Sequence, residues 1–254
     1  MKGIHLSIAL VGILFCLPVA AQTAPSVPSS VPRLKDGKPN LSGFWQVLNT
    51  AAFDIQDHVA QKGVPGGQGV VEGNEIPYQP WALAQKKENY QNRATADPEG
   101  RCFLLGVPRI TYSGRPFQIF QASDGPIITI LYEYAHTNRF IYLNGTPHPP
   151  GPIDWWMGDA RAKWEGNTLV VDNVHFNDKT WFDRAGNFHS EDLHVIERYT
   201  LTDADHINYQ VRIEDPKVFT RPWNMNMVLY RRTEKDFQLL DYECYAFDID
   251  KYYP

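Results

Sequence analysis

The chain has 254 residues, 43% of them hydrophobic and 13% aromatic, with 24 Lys and Arg against 29 Asp and Glu for a formal charge of -5. That balance offers no basic field to hold a phosphate backbone, which excludes nucleic acid as an expected partner. The apolar content suffices for one sizeable core rich in aromatic rings.

Residues 1–21 read as a secretory signal: Lys2 precedes an apolar run over 6–20, and Val19 and Ala21 satisfy the small-residue rule for cleavage after Ala21. The run is shorter than the roughly 20 residues that cross a bilayer, so no stable membrane span is expected. Phe15 stands where lipidation of Cys16 would need a small residue. Export leaves Cys102 and Cys244 in an oxidising compartment, periplasmic or extracellular, and the two predict one disulfide.

Residues 22–40, rich in Pro, Ser and Ala, are expected to form a flexible arm before a single domain over 41–254. The first strand is predicted over 41–48. Its Gly43-Phe44-Trp45 resembles the Gly-x-Trp that opens the first strand of lipocalins, a resemblance that implies a lipocalin-like barrel. Residues 54–77 are glycine-rich and predict a long loop; no Gly-Lys-Ser/Thr follows 63–69, so a phosphate cradle is not expected there. A helix is predicted over 79–94, with Pro80 in its first turn and Trp81, Leu83, Ala84 and Tyr90 recurring at near-helical spacing. Lys86, Lys87, Glu88 and Arg93 are expected to face water.

From residue 117 onward the pattern is β. Strands are predicted over 117–121, 127–134, 139–143, 160–164, 168–176, 193–201, 206–213, 226–232 and 237–246, separated by turn residues. The clearest alternation puts Ile207, Tyr209, Val211 and Ile213 on one face. With the first strand this makes about ten, and antiparallel strands with one wet face must close or pair to hide their edges. The fold class is therefore mainly β: an antiparallel meander forming a lipocalin-like β-barrel with one helix. Residues 146–153 carry too many prolines for a central strand and predict a rim loop.

The blocks Gly106-Val107-Pro108-Arg109, Gly158-Asp159-Ala160-Arg161, 164–172, His189-Ser190, Glu197-Arg198 and Asp215-Pro216 resemble a family of secreted bacterial proteins, over roughly residues 101–244. That resemblance implies secretion and a single domain. It assigns no catalytic residue.

Candidate chemistry gathers in and around the loop at 177–190. Asp183 and His189 are read as a carboxylate-oriented histidine for acid–base work, because imidazole titrates near neutral pH and a carboxylate fixes its tautomer. A plain turn, with Asp183 on local amides, is the competing reading. His175 shares a predicted strand face with Leu169, Val171 and Asn173 and completes the catalytic set. His148, Trp181 and Arg198 are the candidate ligand binders. Arg198 suits a carboxylate or ring hydroxyl, with a structural ion pair to Glu133 or Glu243 as its alternative.

Trp155, Trp156, Trp181 and Trp223 suit stacking on a ring, or core filling. Asp154 with Asp159 and Asp178 with Asp183 are carboxylate pairs whose separation the sequence does not express. No histidine spacing matches a metal-ligand set; distant strands would have to bring His136, His148, His175 and His189 together. No metal or other cofactor is expected. Ser113 lacks the setting of a nucleophile elbow.

Two functions follow. One is an exported enzyme acting by His and carboxylate acid–base chemistry on a small sugar-like or aromatic substrate, as a lyase, isomerase or hydrolase. The other is a non-catalytic lipocalin-like protein that encloses a hydrophobic small molecule.

Overall fold

The computed structural model describes residues 31–244. The signal segment, residues 22–30 of the arm and the last two residues of the tenth predicted strand lie outside that range. Nine strands close into one barrel in sequence order: β1 (Gly43–Val47), β2 (Phe117–Gln121), β3 (Ile127–Tyr132), β4 (Asn138–Tyr142), β5 (Asp159–Glu165), β6 (Thr168–Val174), β7 (His194–Leu201), β8 (His206–Glu214) and β9 (Trp223–Arg231). The expected meander barrel is present, with one helix, α1 (Pro80–Ala96).

An odd number of strands cannot alternate direction all the way round a closed ring, so one neighbouring pair must run parallel. That pair is β4 and β5, joined at only two register positions, Ile141 to Ala160 and Tyr142 to Arg161. A parallel step needs a long connection, and residues 143–158 supply it by running from one end of the barrel to the other. Pro147, Pro149, Pro150 and Pro152 fall in the stretch of this connection that pairs with no strand.

Over its described residues, 237–244, the tenth predicted strand does not form. Antiparallel pairing of β1 with β9 closes the ring and leaves no edge for residues 237–244, which run over the barrel with the Leu240 amide donating to Glu133 Oε2 (3.0 Å). Part of the expected arm is also ordered: the Leu34 and Asn40 amides bond Lys38 O and Pro32 O, and the Asp36 carboxylate accepts from the Asp124 amide (3.1 Å).

Tight turns join the strands at one end of the barrel, at 166–167 between β5 and β6 and at 202–205 between β7 and β8. The long excursions lie at the other, at 48–116 and 175–193. Ile55, Leu105, Ile110, Tyr112 and Phe182 on those excursions, with Phe219 from the β8–β9 connection, are buried and continue the core as a cap over the loop end. Inside the barrel, Ile207, Tyr209, Val211 and Ile213 of β8 all point inward as their alternation predicts.

Gly43 makes room for a side chain. Its φ is 136°, and a Cβ there would run into the Arg231 guanidinium, which lies 4.2 Å from the Trp45 ring centre and donates to Ser42 O (2.8 Å). The Cys102 and Cys244 sulfurs are 2.14 Å apart, at bonding distance, as expected.

Two expectations for α1 are corrected. Trp81 and Leu83 are exposed, Ala82 is buried, and the stripe Gln85, Lys86, Asn89, Tyr90 and Arg93 is half-buried against the protein. The helix docks by polar contacts, as in the bond from Asn89 Nδ2 to Gly186 O (3.2 Å), so apolar spacing did not mark its inner face.

The barrel interior holds a charged pair. Arg139 of β4 bonds Glu197 of β7 through both terminal nitrogens, and Glu197 also accepts from Tyr199 Oη (2.8 Å), Tyr209 Oη (2.7 Å) and Asn173 Nδ2 (2.8 Å). Both charged side chains are buried. Burial opposes the charge on Glu197, but Arg139 outweighs it and holds the carboxyl below its usual range.

Candidate functional site

Above the Ile141–Ala160 position β4 and β5 have no register partners, and a cleft of about 350 Å³ opens between them. Phe140 and Tyr142 line it from β4, and Trp155, Trp156 and Met157 from the connecting segment. Phe140 and Trp155 are each more than a third exposed, and Phe103 packs on Trp156 with ring centres 4.9 Å apart. Aromatic rings left open in a concave site are surfaces for stacking a flat or sugar-like ligand.

Asp159, at the start of β5, also lines this cleft. One of its oxygens lies 2.7 Å from His148 Nδ1, and Arg161 grips both oxygens through Nε (2.7 Å) and Nη2 (2.8 Å). Burial works against the Asp159 charge. Bonds from Arg161 and His148 overcome it and lower the carboxyl below its ordinary value. An anionic Asp159 accepts from Nδ1–H, which fixes the His148 tautomer and leaves the Nε2 lone pair as the proton acceptor. Nε2 has no hydrogen-bond partner in the structure and faces Asp172 Oδ1 at 3.6 Å. The hydrogen bond from His194 (2.7 Å) lowers the Asp172 carboxyl, so a proton taken onto Nε2 faces a second anion.

His175 holds the segment in place. It sits in the left-handed region at φ 63°, with Nε2 3.0 Å from Pro149 O and its ring 6.2 Å from that of His148 and 6.0 Å from that of Trp155. The Trp155 amide donates to His175 O (2.9 Å). Two of the predicted site residues, His148 and His175, are therefore neighbours behind the cleft wall, in contact with its lining residues Asp159 and Trp155.

The other predicted residues are placed elsewhere. Asp183 and His189 are not hydrogen-bonded to each other, contrary to expectation. Asp183 accepts from the Ile55 amide (2.9 Å), the Asn187 amide (3.1 Å) and Asn187 Nδ2 (2.5 Å), which is the competing turn reading. Burial, then the neighbouring Asp54 charge, raise its carboxyl to about 7.

His189 is buried under the loop-end cap, against Phe182, with Nε2 on Thr180 Oγ1 (2.6 Å) and Nδ1 on Ser190 O (2.9 Å). Both ring nitrogens are thus occupied, and burial lowers the imidazole below its ordinary value. Trp181 is buried and bridged to Phe188. Arg198 points outward on β7 and pairs with Glu165 (3.0 Å) in place of Glu133 or Glu243.

Sequence reasoning gave no site role to Asp172 or His194, and singled out Asp159 within a resemblance block and as a carboxylate pair with Asp154 without linking it to His148. Their link to His148 depends on how residues 143–158 fold back across β5 and β6, which no local pattern encodes. Among the described residues no group of three or more His, Cys, Asp or Glu side chains is arranged to hold a metal ion. No helix among them is long and apolar enough to cross a membrane. Compared with known protein families, curated proteins and solved structures, the chain matches none.

Proposed function

We propose that this protein is a periplasmic or secreted enzyme that acts by acid–base chemistry on a small aromatic or sugar-like substrate, with His148 as the proton-transfer group. The observation that carries the reading is Asp159 on the wall of an aromatic cleft, with His148 bonded to it at 2.7 Å behind that wall. Asp159 orients the imidazole, Arg161 keeps Asp159 ionised, and Asp172 faces the nitrogen that receives the proton. Trp155, Trp156, Phe140 and Tyr142 hold the ring of the substrate. A lyase, isomerase or hydrolase step is compatible with one such base. Export is supported by the signal-like segment and by the bonded cysteine pair.

The carrier reading is weaker, because the barrel interior that would enclose a hydrophobic molecule contains the Arg139–Glu197 ion pair. The test is a turnover screen of the full chain against aromatic acids, phenols and simple glycosides. His148→Gln is expected to remove the activity found, with thermal unfolding unchanged, and Trp155→Ala to raise KM more than it lowers kcat. Turnover that survives His148→Gln, or a screen in which compounds bind the cleft and none is converted, overturns the assignment.

A further inference from the structure

A second cleft, of about 410 Å³, lies between α1, residues 53–64 and the turn at 184–185, and it shares no lining residue with the cleft beside β4 and β5. It explains the inverted docking of α1, whose half-buried Lys86 and Arg93 both line it. The two walls carry opposite charges that do not meet.

On one wall Arg93 donates to Tyr90 O (2.6 Å), and Arg184 grips Glu99 through Nε and Nη2 (2.8 Å each). Among the described residues the Lys86 ammonium has no carboxylate within ion-pair distance; its Nζ lies 6.0 Å from the centre of the Tyr90 ring. On the other wall Asp54 accepts the Gln56 amide on Oδ1 (3.0 Å), with no Lys or Arg among the described residues within ion-pair distance and the buried Asp183 carboxyl nearby. Burial raises the Asp54 carboxyl, and the more distant charges of Lys86 and His58 offset that only in part.

Of the remaining titratable groups facing the cleft, Asp57 Oδ1 accepts from the Gly69 amide (2.7 Å), Tyr90 Oη donates to Gln61 Oε1 (3.4 Å), and His58 bonds Gln56 O through Nδ1 (2.8 Å) while its buried Nε2 has no hydrogen-bond partner. Val59 and Val64 complete the lining with apolar surface.

A cation facing an anion across a cleft, each without a bonded counter-charge, is complementary to a ligand that carries both charges. We propose that this cleft binds a small zwitterion of the α-amino-acid class, its ammonium on Asp54, its carboxylate on Lys86 and its side chain against Val59 and Val64. An ammonium there supplies the cation that the Asp54–Asp183 pair lacks, and a carboxylate completes Lys86. The site is independent of the acid–base centre and stands or falls separately.

The experiment is isothermal titration of the full chain at neutral pH with each of the standard amino acids, and with propylamine and propionate as single-charge probes. At least one amino acid is expected to bind with a Kd of about 1 mM or tighter, and both single-charge probes roughly tenfold or more weakly than it. Lys86→Ala, a substitution on a helix surface, and Asp54→Asn are each expected to weaken that binding roughly tenfold or more. His148→Gln is expected to leave it unchanged. Absence of binding by every amino acid, single-charge probes that bind as well, or binding indifferent to Lys86→Ala overturns the proposal.

Discussion

Glu197→Gln isolates the energetic role of the charge inside the barrel. Glu197 is wholly buried and receives Arg139 through both terminal nitrogens, with Tyr199, Tyr209 and Asn173 also donating to it. A glutamine removes the counter-charge of Arg139 and replaces one acceptor oxygen by a donor among donors. Breaking one side of a buried pair costs about 3–5 kcal/mol, because the remaining charge is left desolvated and uncompensated. For a domain of this size 1 kcal/mol corresponds to about 2–4 °C, so the expected fall in Tm is roughly 6–20 °C.

Calorimetry, with urea unfolding followed by fluorescence and circular dichroism, measures it. A loss below about 1 kcal/mol would refute the reasoning. The companion variant Arg139→Met with Glu197→Leu removes both charges at once and is expected to recover most of the lost stability. A double variant no more stable than Glu197→Gln would show that the tyrosines and Asn173 depend on the charge for their own packing.

Two further outcomes are expected. The Cys102–Cys244 bond spans 142 positions, and the chain-entropy relation gives about 5 kcal/mol for such a loop; urea midpoints with and without reductant measure it, and unchanged midpoints would deny that the bond stabilises the fold. Asp183, raised to about 7, holds a proton in the folded state that the unfolded chain has already released, so its favourable contribution is full below the ordinary carboxylate range and is lost as pH rises through about 7. Unfolding free energies across that window are expected to fall with pH in the native chain and to fall less in Asp183→Asn; parallel slopes for the two chains would contradict the assignment.

The barrel was legible because its signals are local. Alternation in β8, turn residues between strands, and the length of the β runs all survive folding, and β2 formed over the residues its pattern marks. The predicted tenth strand had equally good local credentials and failed for a non-local reason: β1 and β9 had already used the available edges. The candidate site was half legible. His148 and His175 were singled out, but the supposed partnership of Asp183 with His189 rested on nearness in sequence, and the fold turned the two toward different neighbours. Asp159 and Asp172 reach His148 only through the path of residues 143–158, a connection whose sequence says it is not a strand and says nothing about where it lies. The polar inner face of α1 escaped a method that finds faces by hydrophobicity.

The parity of the strands has a consequence for the dynamics of the molecule. A nine-stave ring is obliged to have one mismatched joint, and the joint here is held by two register positions while β7 and β8 share eight. Local opening follows the least-bonded route. Amide exchange is therefore expected to be fastest along the facing edges of β4 and β5, and the aromatic cleft lies along that route. A ring stacked on Phe140 of β4 and Trp155 of the connecting segment would touch both sides of that joint, and slower exchange along it is the expected mark of an occupied cleft.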